Sequence, residues 1–148
     1  MKPDPQRVLE QTAQQLGLRS LDPALPRYQA AGFGMFAGLL GAVREEFDRA
    51  AARRVEENAA LRELFARGAE VVADAALAAR LREAAASRDG SLLVPALDAG
   101  NQRLRALLIA LHAHVESLAT PAARELDAAI WRELAASCAR RRLSLGAF

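Results

Sequence analysis

Hydrophobic side chains recur every three to four residues along most of this chain, and that spacing places them on one face of an α-helix. Short clusters of turn-forming residues separate the periodic stretches. They comprise two prolines and an aspartate within residues 19–26, the run Ser-Arg-Asp-Gly at 87–90, and Thr120 followed by Pro121. The pattern predicts an all-α fold, a bundle of five or six helices with a central Gly/Ala-rich helix.

Capping and stop signals set the predicted helix bounds. The first helix begins at Asp4 and Pro5 and ends at Gly17, and the second begins at Pro26. The pattern leaves open whether the second helix continues to Gly68 as one rod or bends near residues 54–58. Three more helices are predicted over about 70–87, 98–118 and 121–142, with residues 92–94 extended before a proline.

All of these elements are assigned to one predicted domain, residues 1–148, with a short polar N-terminus. An apolar tail, residues 143–148, follows the basic run at 140–142. Its large side chains, Leu143, Leu145 and Phe148, are expected either to fold back on the bundle or to dock on a partner chain.

The second helix carries two contrasting faces. At 100° per residue, five large side chains form one stripe: Phe36, Leu39, Leu40, Val43 and Phe47. Gly34, Gly38 and Gly41 lie on the opposite side, and each costs about 1 kcal/mol relative to alanine inside a helix. Close approach of another helix would offset that cost, so this helix is predicted to be packed on both faces. It is either the centre of the bundle or half of a homodimer interface, unless the glycines make room for a ligand.

The helix predicted over 98–118 has a polar column beside its leucine-rich stripe. Four side chains lie within about 60° of one another: Asn101, Arg105, His112 and Glu116. An arginine fork and a titratable imidazole could bind an anion or transfer a proton. The same trio also arises wherever a polar helix edge meets a neighbouring helix. Together with Gly34 and Gly38, the column supplies the candidate ligand-binding residues, and we predict no catalytic residue.

His112 and Glu116 stand one helical turn apart and could supply two metal ligands. A di-iron bundle needs a Glu-x-x-His motif on each of two helices, and neither histidine here has a glutamate three residues before it. A zinc site would need a third ligand from elsewhere, such as Glu45 or Glu46. We therefore predict neither a metal nor a cofactor.

The last helix places Asp127 among apolar positions, where a carboxylate is costly unless it is paired. Arg105 or His112 is the expected partner. Cys138 lies on the same stripe and is expected to be a buried, inert thiol. Trp131 is expected to cap the core, or else to anchor an interface.

Composition narrows the class of protein. The chain has 35 Ala and 23 Leu, both strong helix formers, and 26% charged residues. Its single cysteine excludes an internal disulfide framework. The net charge of +2 comes from interleaved acids and bases, so we predict no nucleic-acid binding. The start of the chain lacks an apolar signal-peptide region and no apolar stretch is long enough to span a bilayer, so we predict a cytoplasmic protein.

Residues 27–46 begin with Arg27-Tyr-Gln-Ala-Ala and end with Val43-Arg44-Glu45-Glu46. This segment resembles part of an uncharacterised bacterial helical family that is typically encoded beside acyl-CoA dehydrogenases and aminoglycoside-phosphotransferase-like proteins. The family's asparagine within the apolar run is absent here, where Gly32 to Gly34 stand instead. The resemblance covers about a fifth of the chain. It implies a small accessory protein in acyl-CoA metabolism and transfers no catalytic residue.

Three functions follow from these patterns. The preferred one is a non-enzymatic accessory or interaction protein that forms a homodimer through the second helix, with a further protein partner allowed. The second is a protein that binds a small apolar or acyl-type ligand near Gly34 and Gly38, with Arg105 or His112 at its polar end. The third is an enzyme that uses the polar column.

Overall fold

The computed structural model describes residues 4–144 and is all-α, with 82% of those residues helical and no strand among them. Five helices follow one another: α1 (Pro5–Ser20), α2 (Arg27–Val71), α3 (Ala75–Ala86), α4 (Val94–Glu116) and α5 (Pro121–Arg140). The predicted fold class is confirmed. No helix among the described residues is both long and apolar enough to cross a membrane.

Side-chain caps explain where three of the helices begin. The carboxylate of Asp4 accepts a hydrogen bond from the Gln6 amide, and Asp74 accepts from the amides of the first turn of α3. Thr120 accepts from the Ala123 amide, as its position before a proline predicts. Each cap satisfies a backbone amide that has no partner within its own helix.

Several predicted helix bounds are wrong. The first helix does not end at Gly17 but continues to Ser20. The third helix begins at Ala75, not near Glu70, because α2 continues to Val71 and Asp74 caps the next helix. The fourth helix begins at Val94 rather than Asp98. Its proline lies in the first turn, where a missing amide proton costs no hydrogen bond, so Val94 is helical while Leu93 before it is extended as predicted.

The second helix is continuous over 45 residues, so it continues past residues 54–58 without a break in its helical assignment. The alternative of a bend near residues 54–58 stays a prediction. Gly68 lies inside it rather than at its end. A Cβ atom on Gly68 would lie 2.9 Å from Cδ2 of Leu111, a residue of α4. The missing side chain therefore lets α2 and α4 approach closely at this point.

Within the described range the chain divides into two compact units, residues 4–50 with 143–144 and residues 51–142. Helix α2 runs from the first unit into the second. The prediction of a single domain over residues 1–148 stays a prediction.

The second unit contains the hydrophobic core. Its large, completely buried side chains come from every helix of the unit: Phe65, Leu81, Leu97, Leu111, Leu126 and Ile130. The predicted stripe of α4 is confirmed, since Leu104, Leu107, Leu108, Leu111 and Val115 are buried and Leu118 packs against them. Burial of such side chains supplies most of the favourable free energy of folding.

The first unit is a pair of antiparallel helices with small residues at the contact. Cβ atoms on Gly17 and Gly34 would lie 4.0 Å from Ala37 and 3.7 Å from Ser20, respectively. Farther along the pair, Arg44 forms an ion pair of 3.1 Å with Glu10. Because the contacting positions rise along α2 as they fall along α1, the two helices run in opposite directions. The small-residue face of α2 therefore packs on α1 at Gly34 and Ala37, whereas Gly41 on the same face is exposed and a Cβ atom there would meet nothing within 4 Å.

The opposite face of α2 differs from the prediction that both faces are packed. Phe36, Leu39, Val43 and Phe47 are each 52–58% exposed, and Leu40 is half-buried. The prediction that this stripe is buried inside the bundle is therefore wrong for a single chain. Of the tail, Leu143 is exposed and the Ser144 amide donates a 2.7 Å hydrogen bond to Glu45, while Leu145 and Phe148 lie outside the described residues.

Candidate functional site

The polar column of α4 divides between two separate clusters in the second unit. Asn101 and Arg105 belong to what we call the Glu57 network: Glu57, Asn58, Asn101, Arg105, Ser137 and Arg141. His112 and Glu116 belong to the His112 cluster: His112, Glu116 and Asp127. Arg105 and His112 are seven positions apart, which corresponds to roughly 10 Å along the helix axis. The four side chains therefore do not form one site.

Glu57 is the centre of its network and is 2% exposed. Arg141 donates two hydrogen bonds to it, from Nε to Oε1 at 2.8 Å and from Nη2 to Oε2 at 2.6 Å. The Ser137 hydroxyl donates at 2.9 Å and the Asn101 amide at 3.3 Å. Burial alone would raise the pKa of Glu57, but the hydrogen bonds from Arg141 and Ser137 outweigh it and lower the pKa.

The network continues from Glu57 toward the loop before α4. Asn101 also donates to Asn58 at 3.0 Å, and Asn58 donates to Asp89 at 2.9 Å. Arg62 holds both oxygens of Asp89, and these bonds lower the pKa of that carboxyl. Four donors occupy the Glu57 carboxylate, so it has little capacity left to accept a ligand or a proton. The arrangement ties α2, α4 and α5 together as a structural network.

Glu57 and Ser137 were missed by the sequence analysis. Five of residues 53–58 are polar, which is typical of a solvated helix face, so the sequence analysis did not single out one of them as buried. The heptad-like spacing of the nearby leucines offered a signal, because Glu57 stands four residues before Leu61 and seven before Leu64, both buried. That spacing places Glu57 on the core side of α2.

The His112 cluster joins α4 to α5. His112 Nε2 lies 2.8 Å from Asp127 Oδ1 and 3.7 Å from Glu116 Oε1. The expected pairing of Asp127 with Arg105 or His112 is confirmed for His112. Trp131 meets the imidazole edge-on, with ring centroids 5.3 Å apart and an interplanar angle of 81°. The four side chains lie at the solvent edge of the core rather than inside it.

The other histidine and the cysteine do not join this cluster. Cys138 is exposed, so the expectation of a buried thiol is wrong. Cys138 lies on the side of α5 that faces solvent, and its neighbour Ser137 is the buried residue instead. His114 is half-buried on another side of α4, as the helical spacing predicts. Trp131 is 56% exposed and does not cap the core as a buried residue would.

Gly34 and Gly38, the remaining candidate ligand-binding residues, lie in the first unit. A Cβ atom on Gly34 would lie 3.7 Å from the Cβ atom of Ser20 on α1, an ordinary van der Waals contact. Gly38 is half-buried. Gly34 thus serves helix packing. The two glycines belong to the first unit, whereas the polar column belongs to the second.

Two surface cavities of the second unit have volumes of about 340 and 300 Å³. The larger is lined by Arg62, Arg88, Asp89 and Arg103 together with serines and a glycine of the loop before α4. Arg62 is already held by Asp89 there. Neither cavity is lined by a residue that the sequence analysis proposed as a site.

The first unit presents an exposed apolar stripe on α2, which we call the α2 stripe: Phe36, Leu39, Val43 and Phe47. Tyr28 and Met35 lie beside it on the helical projection and are also more than half exposed. A Cβ atom on Gly32, which falls within the same stripe, would meet nothing within 4 Å. This face can bind apolar surface but offers no group for acid–base chemistry.

Comparisons with known proteins leave the chain without an assigned family. No family model, no curated protein and no solved structure matches it. The resemblance of residues 27–46 to a bacterial helical family therefore stays a prediction.

Proposed function

We propose that this protein is a non-enzymatic interaction protein that forms a homodimer through the α2 stripe. The observation that carries the proposal is the exposure of Phe36, Leu39, Val43 and Phe47 on one face of a continuous helix. Large apolar patches on soluble proteins are typical of interaction surfaces. The stripe lies on the opposite side of α2 from the small residues that pack on α1.

The size of this patch suits a protein interface. With about 100 Å² exposed on each of six large side chains, counting Tyr28 and Met35, the patch covers roughly 600 Å² per chain. That is the upper end of what monomers expose, about 300–600 Å². It approaches the roughly 800 Å² per partner of a standard interface. The rim of α1 and the polar residues around the stripe would supply the remainder.

The spacing of the stripe suits a second helix as its occupant. Its members follow one another at intervals of three and four residues, which is the seam used when two helices pack side by side. A second copy of this chain presents the same seam, and a two-fold axis would place each stripe against the other. Gly32 leaves open space within the seam, where a large side chain of the partner could insert.

The clusters of the second unit favour this function over the two alternatives. The Glu57 network uses Asn101 internally and binds Arg105 to Ser137, so two members of the polar column serve packing. Gly34 faces Ser20 of α1 across a helix contact, which favours a packing role for this glycine. The resemblance of residues 27–46 implies that the assembled protein acts as an accessory in acyl-CoA metabolism.

The test is the solution mass of the full chain and of two matched variants, measured by light scattering and by sedimentation over a range of concentrations. We expect wild type at twice the mass of one chain. Phe36→Glu places a charge in the seam and should raise the dimer dissociation constant at least tenfold. Ile109→Glu changes an even more exposed apolar residue of α4, outside the stripe, and should leave the mass unchanged.

Circular dichroism of each variant checks that the helices are retained. A wild-type protein that stays monomeric at about 100 μM would overturn the proposal, because interfaces of this size bind more tightly than that. Equal weakening by Phe36→Glu and Ile109→Glu would overturn the assignment to the α2 stripe.

A further inference from the structure

The His112 cluster has the composition and spacing of a metal site. His112, Glu116 and Asp127 each offer one ligand atom, and these atoms all lie within 4.8 Å of one another. Ligand atoms of a tetrahedral zinc site, at bond lengths of about 2.0–2.2 Å, are roughly 3.3–3.6 Å apart. The two measured separations from His112 Nε2, 2.8 and 3.7 Å, bracket that value.

The backbone holds these three residues in place. His112 and Glu116 stand one turn apart on α4, so both project from the same side of one helix. Asp127 comes from α5, which follows after a short connection. Buried neighbours anchor both helices at this level, Leu111 and Val115 on α4 and Leu126 and Ile130 on α5. A cation would therefore find the ligands already assembled and would order few side chains on binding.

We propose that His112, Glu116 and Asp127 bind a divalent transition-metal ion, with Zn²⁺ as the best match. One imidazole nitrogen and two carboxylate oxygens form a ligand set that suits zinc, whereas Ca²⁺ and Mg²⁺ prefer oxygen ligands alone. A bound dication would neutralise the two carboxylates around a neutral imidazole. The proposal is independent of dimer formation, because it rests on the second unit alone.

Three protein ligands leave one coordination position open. Glu116 is exposed and Asp127 is half-buried, so that position is accessible to water or to a ligand atom from another molecule. Trp131 contacts the imidazole edge-on, and Nε2 of that ring lies 2.8 Å from Asp127 Oδ1.

The expectation of no metal depended on the absence of a third ligand near His112 and Glu116. Glu45 and Glu46 were the candidates considered, and both lie in the first unit. Asp127 supplies the third ligand instead. It was recognised as a partner for His112 but not as a member of a three-residue set, because the distance between α4 and α5 is not encoded in either helix alone.

The first test is calorimetric titration of the untagged, chelator-treated full chain with ZnCl₂. We expect saturable binding of one ion per chain. His112→Ala should weaken binding at least tenfold, and Asp127→Asn should weaken it while keeping the side-chain shape. His114→Ala is the matched control, since it removes the other histidine from the same helix and should bind Zn²⁺ as wild type does.

The second test uses Trp131, the only tryptophan of the chain, as a reporter of where the ion binds. Co²⁺ is paramagnetic and quenches a nearby indole, so saturable quenching is expected in wild type and in His114→Ala. It should be lost in His112→Ala, with each variant compared with its own metal-free emission. Binding that survives in both His112→Ala and Asp127→Asn would overturn the proposal, as would the absence of saturable Zn²⁺ binding up to about 1 mM.

Discussion

Phe36 and Phe65 lie on the same helix, yet Phe65 is completely buried whereas Phe36 is 53% exposed. The two units that share α2 differ in the same way. In residues 51–142 every helix contributes buried leucine, isoleucine or phenylalanine, whereas among the described residues of the first unit only Ala50 is buried. Helix α1 contains no buried residue.

The two units therefore show two ways in which a helix can be stabilised: by burial of large side chains, or by close contact of small ones. The second unit buries large side chains from four helical segments around one core, so it has its own hydrophobic driving force. The first unit consists of two helices whose contact is made by glycine, alanine and serine, which bury little apolar area. An isolated helix pair of this kind gains little from burial. The exposed stripe of the first unit is therefore the surface whose burial on association would stabilise it most.

The sharpest test of the comparison is to shorten the two phenylalanines of α2. Phe65→Ala should lower the free energy of unfolding by about 3–5 kcal/mol, because it leaves a cavity in the core. Phe36→Ala, measured by urea denaturation at low protein concentration, should cost less than about 1 kcal/mol. Equal costs at low concentration would contradict the division into a core unit and an exposed stripe. A cost for Phe36→Ala that grows with protein concentration would reinforce the dimer proposal.

The Glu57 network predicts the next largest effect. Glu57→Gln removes the charge that Arg141 binds and should cost about 2 kcal/mol, in the range of hydrogen bonds to charged groups. Glu56→Gln changes an exposed neighbour and should cost almost nothing. Urea denaturation at neutral pH measures both. Equal effects of the two substitutions would contradict a structural role for the network.

The Glu57→Gln variant also tests how the stability of the protein depends on pH. The pKa of Glu57 is lower in the folded protein than in the unfolded chain, so its contribution is complete above the unfolded pKa. That contribution is lost as the pH falls toward the folded pKa. Between about pH 7 and pH 3, wild type should therefore lose more stability than Glu57→Gln. The pKa of Asp89 is also lowered, so Asp89 contributes to the loss of stability with falling pH in both proteins.

Glycines on the two parts of α2 provide the smallest test. Gly68→Ala should destabilise the protein by about 1 kcal/mol, because the added methyl meets both terminal carbons of the fully buried Leu111 at 2.9 and 3.0 Å. Gly41→Ala meets nothing within 4 Å and should stabilise the helix by up to about 1 kcal/mol. Thermal unfolding measures both, and a stabilising Gly68→Ala would show that the core can adjust at this contact.

Much of the fold could be predicted from local patterns. Helical periodicity, the caps at Asp4 and Thr120, and the leucine stripe of α4 all depend on residues within a few turns of one another. The start of α4 was misplaced because Leu93 caps it without a side-chain hydrogen bond, so no cap residue marks it. Cys138 was predicted to be buried because it lies on the apolar stripe of α5. Helical periodicity alone does not show which side of α5 the neighbouring helices cover.

The candidate sites were predicted only in part. The pairing of His112 with Asp127 followed from the cost of leaving a carboxylate unpaired at an apolar position. Glu57 could not be found in this way, because its partners Ser137 and Arg141 are about eighty residues away in the chain. The column on α4 was one feature in the sequence but two in space, since different neighbours meet its two ends.

The sequence by itself determined the all-helical class, the main turns and the contrast between the small and large faces of α2. These properties follow from helix propensity and from the period of 3.6 residues, which act over short distances along the chain. Only the tertiary structure decided which face is covered, which carboxylate is buried and which three residues form the His112 cluster. Those outcomes depend on how helices from distant parts of the chain pack, and no local pattern encodes the side chains they bring together.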